Sequence, residues 1–150
     1  MISKILVPID GSKVSQKAAK YAVELAKQTG SSLMLLSVID KRVIASQGLT
    51  DYTSPMINVR ESIEDYLKQS AQSNTAKIAK VCERYHIRHK AAIRTGHPVE
   101  EIVNEARKSK VDLIVIGSHG KSALKAAVLG SVTYGVIHKD TKIPVLIVRR

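Results

Sequence analysis

Three glycines and a serine inside the segment GSHGKSALKAAVLGS carry the most specific chemistry in the chain. Gly117, Gly120, Gly130 and Ser131 are spaced G-x2-G-x9-G-S behind an apolar run. Phosphate groups are held well by backbone N–H donors and helix N-termini, and a side chain at the contact would keep the phosphate at a distance. Glycine removes that obstacle and permits positive φ. Gly117 and Gly120 would turn the chain tightly off a strand, and Gly130-Ser131 would add bare backbone, a hydroxyl and a helix N-terminus. Lys121 and Lys125 add positive charge between them, while Ala123, Leu124, Ala126, Ala127, Val128 and Leu129 can cover or anchor the segment. The plainer alternative is that the glycines only make a turn and Gly130-Ser131 only caps a helix.

Other reactive side chains form weaker groupings. His119 lies between motif glycines and is expected to touch phosphate or ribose; the alternative is an exposed loop residue. His86, His89, His97, His119 and His138 show no metal-ligand spacing with Cys82, so no zinc site is expected. Cys82 falls on the apolar face of a helical pattern and reads as core. Asp112 opens an apolar run as an edge or helix partner. Asp40 either bounds a pocket or sits in a solvated turn. Lys121-Ser122 follows Gly120 but lacks the upstream spacing of a Walker-type loop.

The elements that would position these residues alternate along the chain. KILVPID (4–10) reads as a buried strand, followed by Ser12 as an N-cap, a helix with Val14, Ala18, Tyr21, Ala22, Leu25 and Ala26 at helical spacing, and Gly30 as its stop. SLMLLSVID (32–40) is a second strand. Residues 41–57 lose periodicity and read as a long loop. A long helix follows from Val59 to Tyr85, its stripe interrupted by Ser70 and Asn74. Residues 86–96 make a third strand, Pro98 opens a helix ending near Lys110, 111–118 is the fourth and most apolar strand, a helix begins near Ser131, and 143–150 is the fifth strand. Five strands alternating with helices imply one α/β domain over 1–150: a parallel, Rossmann-like sheet with helices on both faces and strand order 3-2-1-4-5. Ligands in such sheets sit at the carboxyl ends of the strands, near the switch in strand order.

Composition bounds the function. The 150 residues have 44% hydrophobic and 25% charged side chains, no Trp or Phe, and a single cysteine. No run is long and apolar enough for a membrane span, and no signal peptide is apparent, so a cytoplasmic protein is expected. The formal net charge is +11, which favours polyanionic partners. The basic residues are scattered, however, and no aromatic residues interleave with them as stacking platforms, so nucleic acid is not the expected partner.

The chain resembles the universal stress protein family, in its single-domain ATP-binding subclass. The motif of Gly117, Gly120, Gly130 and Ser131 is similar to that subclass's G-x2-G-x9-G-[ST]. KILVPIDGS resembles the family's opening strand, LLSVID its second strand, GHPVEEIV its G-x-P-x-E-E-I turn, and PVLIVRR its last strand. Tyr134-Gly135 departs from the small or polar residues common there, and Gly135 should weaken the helix it occupies. The resemblance implies that Pro8, Ile9, Asp10 and Ser12 line a nucleotide, with Asp10 near the phosphates through Mg²⁺. It implies that Val38 meets adenine through its backbone. It also implies that Ile116, Gly117, His119, Gly120, Gly130, Ser131, Val132 and Thr133 surround ribose and phosphates. A carboxylate beside a triphosphate makes sense only with a metal between them.

Three functions compete. The first is an ATP-binding switch with slow or no hydrolysis, read by an unknown protein partner, in which the nucleotide orders the motif and the 41–57 loop. The second is a slow ATPase; adenylation is disfavoured because VPIDGS replaces the glycine- and serine-rich turn of the related adenylating enzymes. The third is a basic adaptor for nucleic acid. The resemblance also implies a homodimer through the last strand, Ile143 to Arg150, where a proline at Leu146 would remove a donor that the pairing needs.

Overall fold

The computed structural model describes residues 1–46, 57–121, 128–139 and 142–150. The elements are β1 (Lys4–Pro8), α1 (Lys13–Thr29), β2 (Ser32–Asp40), α2 (Lys41–Ser46), α3 (Ile57–Arg84), β3 (His89–Gly96), α4 (Pro98–Lys108), β4 (Leu113–Gly117), α5 (Ser131–His138) and β5 (Val145–Val148). The strands form a parallel sheet in the order β3-β2-β1-β4-β5. This is the expected α/β architecture, with the switch in strand order between β1 and β4.

Alternation along each strand divides the core in two. Ile5, Val7 and Ile9 of the first strand join Leu35 and Val115 on one face, beneath Ala18, Ala22 and Ala26 of α1 and Ile78 and Cys82 of α3. Leu6, Leu36, Ile114 and Ile116 point the other way, beneath Val99, Ile102 and Ala106 of α4 and Val136 of α5. Strands covered on both faces must be apolar almost throughout, which is why they read as continuous runs. Small residues on α1 let it lie close to the sheet.

The caps of α1 follow from the sequence. Ser12 Oγ accepts from Ser15 N at 3.1 Å, and Gly30, at φ 70°, donates its N–H to Ala26 O. Several boundaries differ from the reading above. Lys41 to Ser46 is helical, where a loop was expected; Asp40 caps it, accepting from Arg42 N at 2.9 Å. Residues 47–56 of that expected loop lie outside the described residues. Residues 86–88 are not strand: His86 takes a left-handed turn, φ 55°, after α3. Asp112 precedes β4 and ties the chain start to it, accepting from Ser3 N, Ser3 Oγ and Lys4 N at 2.8–2.9 Å. Those donors, the Ser3 main chain first, hold the Asp112 carboxyl below its ordinary 3.8.

Gly135 does not interrupt α5. A Cβ there would stand 2.6 Å from Val99 Cγ2, so the bare position sets how closely α5 lies on α4. At the sheet edge, Ile114 N donates to Pro144 O and Ser118 N to Val148 O. The alternation then turns the Leu146 main chain toward β4 as well, and leaves Val145 and Ile147 facing outward. The Leu146 donor belongs to the sheet itself and is not available to a second copy.

Gly117 is governed by the same close packing. A Cβ on it would stand 2.8 Å from Val14 Cγ1 and 3.2 Å from the Val14 main chain. Gly117→Val should therefore lower stability by ~1–3 kcal/mol in urea unfolding. Val14→Ala should recover part of that loss, because it removes the methyl but not the backbone contact. Additive losses in the double variant would show that the two residues do not share this contact.

Candidate functional site

Four chain segments converge at the carboxyl end of β1. Ile9, buried, donates its N–H to Leu36 O at 2.8 Å and so pins the β1 exit beside β2. Gly11 then takes φ 81°, with Asn74 of α3 directly against it, so that a Cβ there would clash with Asn74 Nδ2. This strict glycine, and not one of the motif glycines, is the site's left-handed position; among the described residues positive-φ glycines are Gly11 and Gly30. The expectation that the motif glycines serve positive φ is therefore corrected.

Asp10 is exposed and faces the motif. Its Oδ1 accepts from Ser12 N at 2.9 Å, and its Oδ2 accepts a long 3.3 Å bond from Lys121 N. A Cβ on Gly120 would stand 2.8 Å from the same Oδ2. The bare Gly120 thus admits the carboxylate. Ser15, buried and passed over in the sequence, accepts from Asp10 N at 3.1 Å; its place three residues after the N-cap was the available signal.

The motif closes on itself through main-chain contact. Gly130 N donates to Ser118 O at 2.7 Å. A Cβ on Gly130 would meet His119 Cα at 3.1 Å and Gly120 N at 3.4 Å. Buried Thr133 donates its hydroxyl to Gly117 O at 2.7 Å, fastening the first turn of α5 to the end of β4. Thr133 is thereby a positioning residue. Exposed Ser131 and half-buried Val132 begin α5, whose Ncap, Gly130, supplies no side-chain bond. The N–H groups of a helix's first turn have no intrahelical acceptor and carry partial positive charge.

His119 is buried at 7% exposure, not an exposed loop residue. Its Nδ1 is hydrogen-bonded with Ser118 Oγ at 2.8 Å. Lys125 and the covering residues 123, 124, 126 and 127 lie outside the described residues. The bare face of Gly117 lies against Val14, so its missing side chain serves packing between β4 and α1.

Pro8 and Val38 flank the exit on the β1–β2 side, and Ile116 lies buried beneath it. Ser32 N donates to Ser3 O and Leu36 O accepts from Ile9 N, so even-numbered residues of β2 turn their main chain toward β1. Val38 does the same, but the β1–β2 register ends at Pro8 and Leu36. Its N–H and C=O consequently face the space past the end of β1, an adjacent donor and acceptor of the kind that reads a base edge.

Beside α5 a hollow of about 330 Å³ is lined by Arg42, His97, Val99, Glu100, Ser131, Val132, Gly135 and Lys139. Glu100 is ion-paired with Lys139 across it, and this partner holds the Glu100 carboxyl below its ordinary value. Arg42 does the same to Asp40 through paired bonds of 2.7–3.2 Å. Asp40 therefore serves the α2 turn and Arg42. Sequence reading missed Arg42, His97 and Lys139 because they come from three separate segments. Cys82 is away from the site in the core, where burial pushes its thiol up to about 11.

The donor set suits a phosphate chain held by backbone N–H groups. Among the described residues no group of three His, Cys, Asp or Glu could hold a metal. One exposed carboxylate, Asp10, fits Mg²⁺ only where phosphate oxygens and water complete the shell, as Mg²⁺ commonly requires.

The family model described as the universal stress protein family matches residues 1–149. Universal stress protein MJ0577 of Methanocaldococcus jannaschii is 36% identical over 157 aligned residues, covering 100% of this chain and 96% of its own. The solved structure of MJ0577 superposes with a TM-score of 0.83, covering 100% of this chain and 97% of that one. A universal stress protein in complex with cAMP shares the fold at a TM-score of 0.70 and 22% identity, covering 98% and 97% of the two chains. An AMP-bound family protein from Arabidopsis thaliana does so at 0.68 and 19%, covering 99% and 92%.

Removing the Thr133 hydroxyl should loosen the join between β4 and α5. Thr133→Val leaves a buried carbonyl oxygen unpaired and should cost ~1–3 kcal/mol in urea unfolding, while Thr133→Ser stays near the parent. Equal losses in both variants would assign the effect to packing of the methyl.

Proposed function

The chain belongs to the universal stress protein family, and on that premise we propose that it binds ATP at the carboxyl end of β1 and β4 and acts as a nucleotide-dependent switch in stress response, with slow or no hydrolysis. The observation that carries this reading is the close approach of Gly130 to His119 and Gly120, which presents bare backbone and the start of α5 beside Asp10. Pro8, Ile9, Val38 and Ile116 take the base and ribose side; the Val38 main chain reads adenine. Asp10, Ser12, Gly120, Gly130, Ser131 and Val132 take the phosphates, and Asp10 would hold Mg²⁺, which would offset the charge between its carboxylate and the phosphate chain. Gly117, His119 and Thr133 shape the motif. The AMP and cAMP bound by the two distant family members support an adenine nucleotide as the ligand class.

Slow turnover follows from the side chains at hand. Fast hydrolysis needs an oriented water and charge placed against the γ-phosphate. His119 Nδ1 is already engaged by Ser118, and Glu100 by Lys139. A persistent bound state is what a protein partner could read.

Mass spectrometry of small molecules released by denaturing the purified protein should find ATP, and calorimetry should show Mg²⁺-dependent ATP binding. Gly130→Val forces a Cβ and its methyl groups against the main chain of residues 118–120 and should weaken binding at least tenfold, with circular dichroism unchanged. Single-turnover hydrolysis should stay well below one per second in the parent and in His119→Ala. Parent-like binding by Gly130→Val would reduce the motif to a turn; rapid turnover lost in His119→Ala would make the protein an ATPase.

A homodimer is proposed through the β5 edge, where Val145 and Ile147 face outward. Pro substitution at Ile147 removes an outward donor and should convert a sedimenting dimer to monomer with little loss of stability. Leu146→Pro should instead damage the β4–β5 ladder and lower the melting temperature. A monomeric parent at micromolar concentration overturns the pairing.

A further inference from the structure

A second hollow, larger than the one beside α5, lies at the opposite end of the sheet, where β1, β2 and β3 begin and α4 ends. It encloses about 540 Å³ and is lined by Lys4, Ser32, Leu33, Met34, Arg88, His89, Lys90, Lys108, Ser109 and Lys110. Five of these ten are Lys or Arg and none is acidic. Five of the 24 Lys and Arg residues are gathered here by the fold: β1 brings Lys4, the β3 entry brings Arg88 and Lys90, and the α4 exit brings Lys108 and Lys110.

The nearby carboxylates are engaged elsewhere: Asp112 by Ser3 and the Lys4 main chain, and Glu105 by Arg94 and Ser109. Among the described residues no ion pair joins Arg88, Lys90, Lys108 or Lys110 to a carboxylate. Lys4 Nζ instead donates to Ser109 O at 2.9 Å. The α4 C-terminus would ordinarily oppose an anion. Here its carbonyls are already bonded: Glu105 O by Ser109 N, Arg107 O by Lys110 N and Ala106 O by Val111 N, at 2.9–3.1 Å. Lys110 also adopts φ 52°, the left-handed region that favours glycine. A helix exit usually places glycine at such a position, and this chain keeps a cation there despite the strain.

We propose that this hollow binds a small condensed phosphate, a short chain of linked phosphate groups. Five cations around one confined hollow call for dense negative charge. A phosphate chain carries at least one charge per phosphorus, whereas an acidic peptide carries one per residue and could place only a few residues there. The lining has no Phe, Tyr or Trp on which bases could stack, and the basic surface is a concavity and not the extended track that nucleic acid follows. Arg88 supplies a planar fork suited to phosphate oxygens, and the lysines supply point charges.

The test uses the full chain, saturated with ATP so that the motif end is occupied, and sodium tripolyphosphate as the probe, with Mg²⁺ in excess over ATP and probe together in both cell and syringe. Amide shifts in NMR should move at residues 4, 32–34, 88–90 and 108–110. Calorimetric affinity should fall at least tenfold in Arg88→Gln/Lys90→Gln and again on adding salt. Lys110→Gly should weaken binding while melting no lower than the parent, which separates loss of charge from loss of fold. Shifts confined to residues 117–133, or variants that bind like the parent, overturn the proposal. So does tighter binding at this hollow by a single-stranded oligonucleotide or by an oligoglutamate of equal charge. Because the readout is resolved by residue, failure of ATP to bind would leave this result interpretable on its own.

Discussion

A methyl group on Gly130 would stand 3.1 Å from His119 Cα, and one on Gly117 would stand 2.8 Å from Val14 Cγ1. Main chain lies against its neighbours at both points, and the carboxyl end of the sheet depends on it. The Gly117 contact seats the first turn of α1 against β4. The Gly130 contact seats the start of α5 against the segment leaving β4, and Thr133 locks it by donating to the Gly117 carbonyl. Side chains longer than hydrogen at these two positions would separate elements whose loose ends must converge. The geometry is therefore set by absence of atoms, which explains why a few glycines, and no cluster of reactive side chains, mark the site.

Electrostatics then divides the two ends of the sheet. At the carboxyl end the basic and acidic groups are mostly matched: Asp40 with Arg42, Glu100 with Lys139, and Asp10 with main-chain donors. Main-chain N–H groups at the start of α5 add positive potential there. At the amino end the cations of the 540 Å³ hollow face no acidic lining residue. Exposed charges repel only weakly across water and salt, so such a grouping is tolerated in the folded chain, and a concave wall concentrates its field. The formal +11 of the whole chain is thus unevenly expressed, and its meaning depends on which end of the sheet is considered.

The fold was legible because each level of the sequence pointed the same way. Doubly covered strands require uninterrupted apolar runs, Ser12 and Gly30 punctuate α1, and the G-x2-G-x9-G-S spacing identified the segment that meets Asp10. What escaped notice depended on contacts between distant segments. Nothing near Gly117 announces Val14, and nothing near Gly11 announces Asn74, because those pairs are made only when α1 and α3 dock. The hidden state of His119 has the same cause: the return of Gly130 covers it. Helix α2 was missed because its six residues are too few to show a period, and its cap, Asp40, doubled as the end of a strand.

The register of β5 shows how such tertiary detail changes a functional argument. As a sequence, IPVLIVRR offers every donor equally to a second copy. Once Pro144 and Val148 are seen to accept from β4, alternation commits Leu146 to the sheet and turns Val145 and Ile147 outward. Side chains follow the complementary rule: Leu146 and Val148 pack with the α1 and α3 core, and Val145 and Ile147 with the α4 and α5 core. An edge strand of four residues with both faces packed has only its outward main chain to offer a partner. Association there would add hydrogen bonds without exposing or repacking either core. Pairing at that edge would leave the candidate site untouched, because its segments come from β1, β2, β4 and α5 and include no β5 residue.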